Sequence, residues 1–153
     1  SIDAPNHQGS ASGTLVILAA HTDLENWRFT HFGSYENLGN AADAADPDQD
    51  GLSNLMEFAL GLAPNAPSIV PASLVLHGVT LEYTYTRSKA AAASVSFHVE
   101  YSDTLSPVGW SQTGVTELSP PLADDGVLQT VKVTLPAAGA KRFVRLKVAT
   151  LIP

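Results

Sequence analysis

The stretch LEYTYTRSKAAAASVSFHVEYSDTLSPVGW, Leu81–Trp110, decides the fold class. Leu81, Tyr83 and Tyr85 occupy alternate positions, and so do Val95, Phe97, Val99 and Tyr101. A period of two puts those side chains on one face of an extended chain, so each run reads as a strand with one buried face. Arg87–Ala93 interrupts the alternation between them, and Asp103–Gly109 follows with the Ser, Pro and Gly of a turn. Leu74 and Leu76 alternate on one side of this stretch, and Val127–Leu135 and Phe143–Val148 on the other. Ser119–Gly126 and Pro136–Lys141 supply further turns. Six or seven short strands at this spacing predict a mainly β fold, a β-sandwich of immunoglobulin or fibronectin type, over residues 67–153.

Upstream, Ala63–Pro71 (APNAPSIVP) holds three prolines in nine residues and marks a boundary. Residues 24–66 read as a small helical unit. Thr22 or Asp23 can cap a helix over about Leu24–Phe32, and Gly33 can end it. A second helix is predicted over Ser53–Leu60, ended by Gly61. Trp27, Phe29, Phe32, Leu55 and Phe58 would dock these helices on the sheet. Residues 1–23 read as a polar tail, Ser1–Gly13, followed by an apolar, β-branched strand at Thr14–Ala20 (TLVILAA).

Between the predicted helices lies Asp46-Pro-Asp-Gln-Asp-Gly-Leu-Ser-Asn-Leu-Met-Glu57, which follows the twelve-residue EF-hand pattern. Asp46, Asp48 and Asp50 hold positions one, three and five, and Gly51 the sharp turn at six. Leu52 offers its carbonyl at seven, Asn54 acts at nine through a water, and Glu57 closes the loop with two oxygens at twelve. Alternate residues of a tight loop aim their carboxylates inward, and a hard dication relieves the repulsion among them. The pattern predicts one bound Ca²⁺. Magnesium prefers a stricter octahedron and keeps its waters, and zinc would seek histidine or cysteine. An Asp-rich turn that caps a helix is the plain alternative, but it does not require Gly51 and Glu57 where they stand. Position eight is Ser53 in place of the usual aliphatic residue, and no second loop is visible, so a lone hand reads as a structural clamp.

At these residues the chain resembles a segment common near the C-termini of large secreted proteins of Verrucomicrobia and related bacteria. The resemblance rests on Trp27-Arg28, Phe32-Gly33, the run Asp46–Gly61 (DPDQDGLSNLMEFALG), Leu81–Trp110 and Arg142–Leu146 (RFVRL). The loop is also similar to a single dockerin or thrombospondin type 3 calcium repeat. Gln49 stands where the family has Gly. The resemblance implies export and placement near the C-terminus of a longer protein, and names no ligand.

Composition agrees with an extracellular or cell-surface location. The charged fraction is 15%, against roughly 25% in typical soluble domains, with Ala, Ser, Thr, Val and Leu in its place. Eight basic residues against fifteen acidic ones, a net charge of −7, give no surface to track a phosphate backbone or an anionic bilayer. There is no cysteine, which removes disulfides and thiolate sites. No apolar run approaches the roughly 20 residues of a membrane span, so membrane insertion is not expected. The sequence opens without an initiator Met or a signal peptide and reads as a processed product or a fragment.

Catalytic constellations are weak. His7, His21, His31, His77 and His98 show no metalloprotease spacing. Asp124-Asp125-Gly126 and Asp103 read as turn residues. Trp27, Trp110, Tyr35, Tyr83, Tyr85 and Tyr101 could stack on a sugar, Trp110 foremost, although alternating strand aromatics more often pack with each other. The reading is a non-catalytic, calcium-stabilised structural or attachment module of a larger secreted bacterial protein. Its partners would be other domains of that protein, neighbouring subunits or a surface glycan. The alternatives are a carbohydrate-binding module, and a subunit of an extracellular filament joined by exchange of the Thr14–Ala20 strand.

Overall fold

The computed structural model describes residues 20–137 and 141–151. The predicted strand Thr14–Ala20 lies outside the described residues except for Ala20. Helix α1 spans Asp23–Phe32. Thr22 caps it: its hydroxyl accepts from the Glu25 amide at 3.2 Å while the Glu25 carboxylate accepts from the Thr22 amide at 2.7 Å. Gly33 ends it with φ +70°, a conformation that strains any side chain. Helix α2 spans Asn54–Leu60 behind Ser53 and ends at Gly61. A 3₁₀ turn at Gly39–Ala41 lies between the helices, and another at Ala90–Ala93.

The rest is mainly β, and every pairing is antiparallel. The strands are β1 Ala72–His77, β2 Thr80–Ser88, β3 Val95–Ser102, β4 Thr116–Glu117, β5 Ala123–Asp124, β6 Leu128–Pro136 and β7 Phe143–Thr150. One sheet runs β1-β2-β6-β4, with β5 on the same edge of β6 as β4; the other is β3-β7. Alternation in Leu81–Tyr101 decided correctly: Tyr85, Val99, Val131, Val133 and Leu135 form the buried centre between the sheets. Leu60 of α2 completes this cluster, with Met56 and Leu62 packed against it. A second cluster joins Leu24, Phe58 and Ala59 of the helices to Ala91 and Val95, with Trp27, Leu55, Phe97 and Val148 around it.

One expectation is corrected. Phe29 does not dock on the sheet. It is exposed on α1 and stacks on Tyr35, centroid to centroid 4.5 Å, which in turn stacks on His21 at 3.6 Å. The contact Phe29 finds is local, and the sheet side of α1 belongs to Leu24 and Trp27. The acidic loop lies between the two helices in the chain, as the sequence predicts, but it does not adjoin both. α1 ends at Phe32, well ahead of Asp46, and the 3₁₀ turn at Gly39–Ala41 lies in the chain between them, so only α2 adjoins the loop.

Candidate metal centre

Between Arg28 and Arg87 the chain carries no lysine or arginine. The acids of this stretch must find other partners. Asp43 finds Arg28 itself, at 2.6 Å, and Asn37 at 3.0 Å. That pair anchors the approach to the loop on α1. The approach also supplies the start of α2: the Asn54 amide donates to the Ala45 carbonyl at 2.8 Å and the Leu55 amide to Asp43 at 3.0 Å. These bonds do for the first turn of α2 what a side-chain cap does elsewhere, and Ser53 makes no side-chain cap.

Within the loop each aspartate folds one oxygen back on the backbone. Asp46 Oδ2 accepts from the Gly51 amide at 3.0 Å, and Asp48 Oδ1 from the Asp50 amide at 3.2 Å. Asp50 accepts from the Leu52 amide at 2.8 Å through Oδ1 and from the Ser68 amide at 2.6 Å through Oδ2. Gly51, at φ +91°, makes the turn that lets these bonds form. One carboxylate oxygen from each of the three aspartates lies within 4.8 Å of the others. That spacing suits oxygens sharing an ion, since two oxygens each 2.4 Å from a cation are at most about 4.8 Å apart.

Among the described residues, five buried side-chain oxygens have no hydrogen-bond donor: Asp46 Oδ1, Asp48 Oδ2, Asn54 Oδ1 and both carboxylate oxygens of Glu57. All five belong to residues that the spacing marks as ligands. Glu57 is wholly buried. Burial foremost, then the charges of Asp48, Asp50 and Asp46, pushes its carboxyl up to about 7. A buried, unpaired carboxylate among three others costs several kcal/mol unless a cation or a proton joins it. Asn54 is more than a ninth-position ligand. Its Nδ2 donates to the Asn40 and Ala42 carbonyls, both at 2.7 Å, and braces α2 against the 3₁₀ turn while Oδ1 stays without a donor. Leu52 contributes its amide to Asp50, and Ser53 at position eight is half-buried.

Sequence reasoning did not reach Ser68, whose backbone amide ties the loop to the proline-rich segment ahead of β1. No side-chain pattern signals a main-chain donor eighteen positions away.

The other candidate groups are engaged elsewhere. Arg142 holds Asp103 at 2.9 Å, and its guanidinium lowers the Asp103 carboxyl below the usual range. Gln129 and Lys89 hold Asp124 and do the same there. Arg145 lies over the Trp110 ring at 3.9 Å and Arg142 over Tyr101 at 4.0 Å. Tyr85 is buried beside Tyr83, and Trp27 meets Phe58 edge to face at 5.8 Å. Burial lowers the pKa of His31. His77 lies 3.7 Å from Glu82. His7 lies outside the described residues. No helix among the described residues is long and apolar enough to cross a membrane. No family model, curated protein or solved structure matches the chain.

Proposed function

We propose that Asp46, Asp48, Asp50, the Leu52 carbonyl, Asn54 and Glu57 bind one Ca²⁺ in an EF-hand-like loop, and that the chain is a non-catalytic, calcium-stabilised structural or attachment module of a larger secreted or cell-surface bacterial protein. The observation that carries the reading is Glu57, buried with both oxygens unpaired beside three aspartates. Hard oxygens without nitrogen or sulfur donors favour a hard dication, and a bidentate carboxylate suits the larger coordination number of calcium over magnesium.

The module role rests on where the loop sits. Its ligands come from the segment that connects α1, α2 and, through Ser68, the start of the sheet. A bound ion would therefore add a second tie between elements whose side chains already meet in the Leu24 and Leu60 clusters. The strand order supports an immunoglobulin-like reading: β1-β2-β6-β4 stands in the order A-B-E-D and β3-β7 in the order C-F. A non-catalytic role is supported by Asp103, Asp124, Glu82, Glu100 and Glu117, each paired with a lysine or arginine. A carbohydrate platform at Trp110 would first have to displace Arg145 from the ring.

Titration calorimetry tests the proposal. Calcium binds with a Kd of about 10⁻⁶ to 10⁻³ M. Asp50→Ala abolishes that binding and Asp124→Ala leaves it intact. Equal affinity in the two variants, or magnesium bound as tightly as calcium, would refute the assignment.

A further inference from the structure

Strand β1 is an edge that nothing in the described structure protects. All six of its residues are exposed. Register places Ala72, Leu74 and Leu76 directly opposite Tyr85, Tyr83 and Leu81 of β2, on the core-facing side of the sheet. Yet Leu74 is 45% and Leu76 60% exposed. The cause is the mismatch between the sheets. The first is four strand positions wide and the second only two, so roughly 10 Å of the first sheet has no facing strand. β3 shares a cavity with Tyr85 of β2, Val133 of β6 and Glu117 of β4, and none of β1 lines it.

The edge is also uncharged. Ile69–Leu81 (IVPASLVLHGVTL) holds no Asp, Glu, Lys or Arg in a chain of net charge −7. Other edges are guarded. β4 and β5 occupy the far side of β6, Ser111 bridges to Tyr101 of β3, and β7 carries Arg145 and Lys147. Charged residues and bulges are the ordinary means of keeping a strand edge from pairing, and β1 has neither.

The free backbone groups can be identified. The Thr86 amide bonds the Pro71 carbonyl, so by antiparallel alternation the odd residues of β1 face β2 and the even ones face outward. The Ala72 amide is taken by the Val70 carbonyl. Leu74 and Leu76 therefore present their amides and carbonyls to whatever comes alongside.

We infer that β1 pairs antiparallel with β1 of a second copy of this chain, about a twofold axis through Val75. In that register each Leu74 faces the other copy's Leu76 and the facing pairs exchange amide–carbonyl bonds in both directions. The leucines lie together on the core side, Val75 meets Val75 on the other face, and Ser73 meets His77. Every contact is apolar or neutral. Glu82, beside Val75 on its own sheet, is already held by Lys132 at 2.8 Å. The two five-stranded sheets become one continuous sheet, and the strip of each that had no cover acquires a neighbour.

The test uses the full chain with calcium present. Sedimentation equilibrium between about 5 µM and about 500 µM, suited to an interface below about 1,200 Å², shows the mass rising from 16.0 kDa toward twice that value. Val75→Lys sets two lysines directly opposite each other at the axis, their Cβ atoms about 5 Å apart, and returns the monomer with its melting temperature unchanged. The chain has no cysteine, so Val75→Cys reports the register directly. It forms a disulfide dimer under mild oxidation, whereas Ile69→Cys, more exposed at 90% against 47% but off the axis, forms it at least tenfold more slowly. A constant mass of 16.0 kDa over the whole range, or equal cross-linking at the two positions, would overturn the pairing. So would a monomer whose Leu74 and Leu76 amides resist hydrogen exchange until Val16→Asp and Ile17→Asp are introduced together, because the edge would then belong to the chain's own N-terminal segment.

Discussion

Glu57 brings a negative charge into a space where none of the described residues supplies a donor or a positive charge. Its carboxyl in the metal-free fold sits near 7, well above the ordinary 4.5, because it is buried and faces Asp48, Asp50 and Asp46. The metal-free fold therefore binds that proton more tightly than the unfolded chain does. This contribution is complete below about pH 4.5 and is lost as pH rises through about 7. In EDTA, the melting temperature should fall as pH is raised from about 5 to about 8. Calcium must displace the same proton, so calcium affinity should rise over the same interval, by up to tenfold per pH unit, and then level off. Scanning calorimetry and titration calorimetry across pH check the two halves. Glu57→Gln separates repulsion from ligation. It keeps the shape and removes the charge, so the metal-free protein should melt higher than the parent while its calcium affinity drops by at least a hundredfold. A variant that melts lower in EDTA would show that Glu57 is stabilised by something other than a missing cation.

At the scale of the element, α2 depends on what precedes it more than on its own propensity, since seven residues are too few to hold a helix alone. Asn54→Ala removes both bonds to the 3₁₀ turn and leaves the Asn40 and Ala42 carbonyls without that donor, which should destabilise the chain by about 1–3 kcal/mol even with calcium absent. Urea denaturation in EDTA measures it, and no loss there would confine Asn54 to ion binding. The gathering of Asp46, Asp48 and Asp50 and the ends of both helices were legible in the sequence, because spacing, caps and glycines act locally. Thr22, Gly33 and Gly61 fall where the caps were read. What could not be read was tertiary. β4 and β5, two residues each, are too short to alternate and form only because β6 offers an edge. Leu74 and Leu76 alternate like buried residues but are exposed, since the number of strands in the opposing sheet is not written in β1. Phe29 turned to Tyr35 for the same reason: a helix face does not announce which neighbour will claim it.

For the whole molecule, the placement of Leu60 decides how it melts. It lies in one cluster with Tyr85, Val99, Val131, Val133 and Leu135, so α2 and the sheets lose a common core together. A thermal scan should show one main transition, raised by calcium at a hundred times Kd by about 2.7 kcal/mol, or about 5–10 °C. Leu60→Ala should lower it by about 2–5 kcal/mol with or without the ion. Two separate transitions in calcium would contradict the shared core. The Asp50–Ser68 bond has a different consequence, which lies in mechanics. It closes a stretch of eighteen residue steps at a point that the ion, once bound, would stiffen. Fully extended, that stretch measures about 60 Å of contour. A module under tension between a cell and whatever its parent protein grips would keep this length as hidden slack. It would be released in one step only when the loop and the core contacts of α2 yield together, and the force of that step would track the calcium concentration around the module.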